Sequence, residues 1–118
     1  MQKETKQLKI IIRALEDIQA KDIITINVTD QTSVTDYMII CNGRATRHVK
    51  AIADFLIPIV KSNGLSVLHT SGMGSGDWVL VDLGDYIIHI MLPESRSFYD
   101  LEGLWQGNSI QTNEAVNQ

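Results

Sequence analysis

Two apolar strands joined by a two-residue turn constrain the possible folds of this chain most strongly. Residues 77–91 place Gly84-Asp85 between two runs of alternating side chains, a pattern typical of a tight β-hairpin. Opposite residues in an antiparallel pair share a face of the sheet. The first face is apolar apart from one hydroxyl and must be core: Val79, Val81, Leu83, Tyr86, Ile88 and Ile90. The second face adds an acid and an imidazole to its apolar side chains: Trp78, Leu80, Asp82, Ile87, His89 and Met91.

The second face of the hairpin has two interpretations. In one, a helix covers the face and a neighbouring group satisfies the imidazole of His89. In the other, the face is a partner patch, because Trp and Met are enriched in interfaces and exposed apolar patches usually have a purpose. The hairpin alone favours the covering helix.

Hydrophobic periodicity predicts the remaining elements. Residues 6–20 and 49–60 carry apolar side chains at helical spacing, and residues 23–28, 37–41 and 65–69 read as strands. Pro58 lies inside the second helix, where we expect a kink or an early break. A short C-terminal helix is outlined by Phe98, Leu101, Leu104 and Trp105. The order α-β-β-α-β-β-β-α predicts an α/β domain with a mixed sheet of about five strands flanked by helices.

Length and composition favour one globular domain. The chain has 118 residues, and we expect a single domain over residues 1–105 with a polar, flexible tail over residues 106–118. Its single cysteine, Cys41, excludes an intramolecular disulfide and is interpreted as a buried filler rather than a reactive thiol. No apolar run approaches the roughly 20 residues of a bilayer span, and the first residues lead to no signal-peptide core. We therefore expect a cytoplasmic protein with no membrane partner.

The net charge of −4 argues against a nucleic-acid-binding domain, since such domains usually carry a basic surplus. An acidic domain suits a basic partner. The cations within residues 44–50 are interpreted as a solvated helix end in preference to an anion site.

Candidate chemistry is sparse in this sequence. The glycine-rich residues 72–76 precede a predicted strand, whereas phosphate-binding glycine loops open a helix. Asp77, Asp82 and Asp85 could hold Mg²⁺ in a metal-dependent nucleotidyl- or phosphoryl-transferase, but the alternating acid pair of such a site is missing. The three histidines lie on separate predicted elements, without zinc spacing. We expect no cofactor, metal or catalytic residue, and the transferase remains the alternative function.

Residues 77–91, followed by Ser95-Arg96, Phe98-Tyr99, Leu101-Glu102 and Leu104-Trp105, closely resemble the ribosomal silencing factor family, also called Iojap-related. Residues 21–23, 33–41 and 47–54 agree with the same family, so that the resemblance covers about residues 5–105. Pro58 and the residues after Trp105 depart from the family pattern.

This resemblance implies a nucleotidyltransferase-like fold that has lost its catalytic acids, and therefore a protein that is not an enzyme. It implies binding to the large ribosomal subunit through that subunit's protein fourteen, and a steric block of small-subunit joining that represses translation under nutrient limitation. It also implies a homodimer when the protein is free. Sequence-specific nucleic-acid binding is not expected.

The resemblance favours the second hairpin face as the partner patch. The expected partner-binding residues are Trp78, Leu80, Asp82, His89 and Met91, with Arg96, Tyr99 and Glu102 as the rim. The same patch could instead serve the homodimer.

Overall fold

A five-stranded mixed sheet forms the centre of the domain. A computed structural model of the chain describes residues 2–105, with side chains from residue 6 onward. The elements are α1 (Gln2–Asp17), β1 (Lys21–Asn27), β2 (Tyr37–Asn42), α2 (Thr46–Ser62), β3 (His69–Ser71), β4 (Trp78–Asp82), β5 (Tyr86–Met91) and α3 (Pro93–Tyr99). The strands lie in the order β1-β2-β5-β4-β3, with β2 and β5 parallel and the other neighbours antiparallel. The predicted element order and the mixed five-stranded sheet are confirmed, while the predicted tail lies outside the described residues.

The two long helices pack on one face of the sheet because each carries a single apolar stripe. Val49, Ile52 and Leu56 of α2 are fully buried, as are Ile11 and Leu15 of α1. They form one cluster with the first hairpin face, which is thereby confirmed as core. No helix within residues 2–105 combines the length and the apolarity that a bilayer span requires.

Cys41 lies in the same core, so the prediction of a buried filler is confirmed. The residue is fully buried, and burial raises the pKa of its thiol to about 12, although the Arg96 guanidinium opposes this shift. Because the thiolate is the reactive form, this cysteine is inert in the folded protein.

The hairpin of β4 and β5 has the predicted register. Trp78 pairs with Met91 and Leu80 pairs with His89, which places all four on the second face. At the turn, Gly84 has a φ of +92°, a conformation that favours glycine. The Leu83 N–H donates to the carbonyl oxygen of Tyr86 at 2.8 Å and closes the two-residue loop.

The prediction of a strand over residues 65–69 is wrong, because β3 begins only at His69 and runs to Ser71. Leu65 and Val67 are half-buried against the core, and the Leu65 N–H still donates to Val60 at the end of α2. Leu65 and Val67 therefore reflect burial of a connecting chain that joins the sheet only at its end, where the Leu68 N–H donates to the carbonyl oxygen of Asp82 at 2.8 Å.

Of the kink or early break expected at Pro58, the break is wrong, since α2 continues through Pro58 to Ser62, and the kink stays a prediction. The missing N–H of Pro58 would have bonded the carbonyl of Asp54, and both residues are exposed. Water can solvate that carbonyl, which lowers the cost of keeping the helix intact.

The C-terminal helix differs from the prediction in place and continuity. α3 covers Pro93–Tyr99, Asp100 adopts a left-handed conformation with a φ of 49°, and a further helical turn spans residues 101–105. The Asp100 carboxylate accepts the Gly103 N–H at 3.1 Å and so caps this turn. Phe98 and Leu104 thus point away from the core, while Leu101 and Trp105 pack against the second sheet face.

Arg96 fastens this C-terminal segment to the sheet. The Nη1 atom donates to the carbonyl oxygen of Asp22 at 2.7 Å and to Oδ1 of Asn42 at 3.0 Å. Its Nε and Nη2 atoms donate to one carboxylate oxygen of Glu102 at 3.0 and 2.8 Å. The register of β1 shifts between Lys21 and Ile24, and Asp22 lies within this irregularity with a φ of +51°. A buried cation with four hydrogen bonds thereby joins β1, β2, α3 and the last turn.

We predict that Arg96→Ala lowers the free energy of unfolding by about 3 kcal/mol, because it leaves the carboxylate of Glu102 and the amide of Asn42 without their cation. Lys61→Ala removes an exposed cation from α2 and should cost less than about 0.5 kcal/mol. Urea unfolding of both variants measures the difference. Equal losses would show that the Arg96 network does not stabilise the fold.

Candidate docking surface

The second face of the sheet is covered over only part of its area. Leu101 and Trp105 pack on the part formed mainly by β1 and β2, with a buried cluster of Ile26, Val28, Met38, Ile40 and Met91. Toward β4 the side chains of Trp78, Leu80 and Asp82 remain partly exposed. A helical turn therefore covers one part of the face, as the first interpretation predicts, and a mixed surface is left open beside it; its use as a partner patch stays a prediction.

Four rings form an aromatic cluster beside the covered part: His89, Trp78, Tyr99 and Phe98. Their consecutive centroid distances are 5.8, 4.7 and 4.9 Å. His89 is buried, Trp78 is half-buried, Tyr99 is 52% exposed and Phe98 is 80% exposed. The aromatic cluster therefore runs from the sheet into solvent, and α3 carries its outer half.

The inner pair of the aromatic cluster is joined by a hydrogen bond. The Nε1–H of Trp78 donates to Nδ1 of His89 at 3.0 Å, which assigns the hydrogen of the neutral imidazole to Nε2. The Nε2 atom is buried and has no hydrogen-bond partner among the described residues. Burial lowers the pKa of His89 from 6.5 to about 4, so the ring is neutral at neutral pH.

The structure divides the remaining expected partner-binding residues between different surroundings. Leu80 is half-exposed beside His89, whereas Met91 is fully buried under the C-terminal turn. The Asp82 carboxylate accepts the Gly84 N–H at 2.8 Å at the far end of the hairpin. Arg96 and Glu102 pair with each other in the network that positions α3, and Tyr99 joins the aromatic cluster.

Phe98 was missed as a surface residue by the sequence reasoning. Its spacing to Leu101 and Trp105 fits one helical stripe, and that spacing was used only to outline the C-terminal helix. The left-handed Asp100 breaks the stripe and turns Phe98 outward. The Asp-x-x-Gly pattern from Asp100 to Gly103 was the one local signal of this break.

The carboxylates of the alternative transferase do not form a metal cluster. Asp82 caps the hairpin turn and Asp85 is exposed within it, while Asp77 precedes β4 and its carbonyl accepts the Leu92 N–H. In the part of the chain that the structure describes, no group of three His, Cys, Asp or Glu side chains could hold a metal ion.

Fold and surface together define an α/β domain with a helical layer on one side of its sheet and a partly exposed aromatic cluster on the other. Residues 1–118 match the family model described as "ribosomal silencing factor during starvation". A Chromobacterium violaceum protein named ribosomal silencing factor RsfS is 44% identical over 99 residues, which cover 84% of this chain and 81% of that protein. The chain therefore belongs to the ribosomal silencing factor family, as the resemblance implied.

Two further comparisons agree with this assignment. The crystal structure of a Chromobacterium violaceum protein matches with a TM-score of 0.84 and 42% identity, covering 86% of this chain and 85% of that one. The mouse protein named mitochondrial assembly of ribosomal large subunit protein 1 is 35% identical over 101 residues, which cover 83% of this chain and 44% of that protein.

The lowered pKa of His89 predicts a specific loss of stability in acid. As the pH falls below 6.5, His89 becomes protonated in the unfolded chain, whereas in the folded chain it stays neutral until about pH 4. The free energy of unfolding therefore falls between these two pH values. We expect this residue to contribute about 2.5 kcal/mol of destabilisation by about pH 4.5. His89→Gln keeps an acceptor for Trp78 and should lack this component. Thermal unfolding of both proteins between pH 7 and pH 4.5 tests the prediction, and parallel losses would contradict it.

Proposed function

We propose that the protein binds the large ribosomal subunit through that subunit's protein fourteen, with the aromatic cluster as the contact surface. The bound protein then keeps the small subunit from joining and so represses translation in the cytoplasm, without catalysing a reaction. Membership of the ribosomal silencing factor family supports a role on the ribosome. The mouse relative, whose name refers to assembly of the large subunit, supports the choice of subunit.

The observation that carries this proposal is the exposure of two adjacent aromatic side chains on a rigid support. Phe98 and Tyr99 are in edge contact, and Tyr99 rests on the ring of Trp78. Aromatic side chains dominate the binding energy of interfaces because they bury a large area at a small cost in side-chain entropy. The Arg96 network holds the short helix that carries them, so little order has to be gained on binding.

The charges around the aromatic cluster favour a basic partner. Asp77 precedes Trp78, Asp100 follows Tyr99, and Glu94 lies on the same short helix, all three exposed. A rim of carboxylates around an aromatic centre attracts a cationic protein surface and repels the phosphates of RNA. The partner is thus proposed to be a protein of the subunit and not its RNA.

We expect Phe98→Ala and Tyr99→Ala each to weaken binding to isolated large subunits by at least about tenfold, because both truncate the exposed end of the aromatic cluster. Phe98→Ala should leave the melting temperature nearly unchanged, since the side chain is 80% exposed. Leu68→Ala is the matched control: it truncates another exposed apolar side chain, 65% exposed, next to the hairpin turn at the far end of β4. Co-sedimentation with large subunits measures binding, and mixing the two subunits measures the fraction that joins.

Three results would contradict the proposal. Undiminished binding by both aromatic variants would remove the cluster from the contact surface. A joined fraction that stays constant when the protein saturates the large subunit would exclude a steric block. If the melting temperature of the unmutated protein depends on protein concentration, and the aromatic variants lose this dependence while subunit binding persists, the surface serves a homodimer.

A further inference from the structure

The helical side of the molecule has the opposite charge from the rest. Residues 2–17 and 43–62, which hold α1 and α2, contain eight of the ten Lys and Arg residues and four of the fourteen carboxylates, a local net charge of +4. The other residues hold two cations and ten carboxylates, a net charge of −8. The overall charge of −4 therefore hides a strong polarity between the helical layer and the remainder of the chain.

A groove runs along this cationic layer. Its first part, about 310 Å³, is lined by Lys6, Lys9 and Arg13 above a floor that includes Ile10 and Ile59. Asp17 also lines a second part of about 440 Å³, which Arg44 and Arg47 border at the start of α2. The Nε atom of Arg13 lies 3.9 Å from Oδ1 of Asp17. Because this ion pair is exposed and therefore weak, Arg13 can pair with a carboxylate of a partner instead.

His48 fixes the geometry where α1 ends and α2 begins. Its Nδ1 atom accepts the Arg44 N–H at 2.9 Å, and its Nε2–H donates to the carbonyl oxygen of Ile18 at 2.9 Å. The ring is buried and bonded at both nitrogens, so the backbone at Ile18 and Arg44, in the second part of the groove, is held in place before any partner arrives.

We propose that this groove binds an acidic amphipathic helix of a second protein partner. An apolar floor beside a row of cations suits a helix that presents apolar side chains at i, i+3, i+4 and i+7 and carboxylates beside them. The stretch of α1 from Lys6 to Asp17 is roughly 16 Å long, enough to contact three helical turns. Nucleic acid fits less well, because no Phe, Tyr or Trp lines the groove for base stacking, the His48 ring in its second part is buried, and the chain as a whole is acidic. This surface lies on the opposite side of the sheet from the aromatic cluster and does not depend on the function proposed for that cluster.

The test uses a fluorescein-labelled peptide of about 16 residues, with leucines at the stated helical spacing and glutamates between them. Fluorescence anisotropy with the full chain should show saturable binding that weakens with added salt. Lys9→Glu should weaken binding at least about fivefold, because it reverses one wall charge. Lys61→Glu makes the same charge change on α2 outside the groove and should change the affinity less than about twofold. Ile10→Gln, checked by circular dichroism for unchanged folding, should also weaken binding by removing part of the floor.

Two probes identify the class of partner. A peptide with lysine in place of every glutamate should not bind, and an RNA duplex of about 16 base pairs should bind more weakly than the acidic peptide. The proposal is overturned if the acidic peptide shows no saturable binding or if RNA binds as tightly as the acidic peptide. It is also overturned if Lys61→Glu weakens binding of the peptide as much as Lys9→Glu does. None of these outcomes alters the expected binding of the aromatic variants to large subunits, so the two proposals fail separately.

Discussion

The guanidinium of Arg96 is the constraint on which the candidate surface depends. It is 8% exposed and donates to the Asp22 carbonyl, the Asn42 side chain and the Glu102 carboxylate. A buried guanidinium is tolerated only where its N–H groups have hydrogen-bond acceptors. These three acceptors therefore determine the position of the segment that follows β5. Because Arg96 holds α3 to Asp22 and Asn42 and the next turn returns Glu102 to the same guanidinium, the chain bends sharply at Asp100. That bend places Tyr99 over Trp78.

The two faces of the sheet are covered to different extents. α1 and α2 close one face with a continuous apolar core, whereas one short turn with Leu101 and Trp105 covers part of the other. His89 lies under the aromatic cluster, with one ring nitrogen bonded to Trp78 and the other without a partner among the described residues. The unmet donor and the low pKa share one cause, which is burial beneath rings that supply a single hydrogen bond. The proposed docking surface thus combines an exposed aromatic end with a buried histidine at its base.

The sequence predicted those features that depend on local periodicity. Alternation in the hairpin assigned both of its faces, and the helical stripes of α1 and α2 identified the core, because each pattern is set by neighbours within a few residues. The sequence predictions failed where contacts between residues far apart in the chain determine the structure. The apolar spacing from Phe98 to Trp105 predicted one C-terminal helix, whereas the structure interrupts it at Asp100, between Arg96 and its partner Glu102. The charged polarity of the helical layer was visible in the sequence, but the groove at its centre required the packing of α1 on α2.

The most direct measurement of the central claim is site-specific photo-crosslinking to the large subunit. A p-benzoylphenylalanine residue placed at position 98 lies at the exposed end of the aromatic cluster, and the same residue at position 68 reports on the far end of the hairpin. After irradiation with isolated large subunits, mass spectrometry identifies the attached ribosomal component. We expect a strong crosslink from position 98 to protein fourteen and little or none from position 68. Crosslinks from position 68 alone, or from position 98 only to a second copy of this chain, would contradict it.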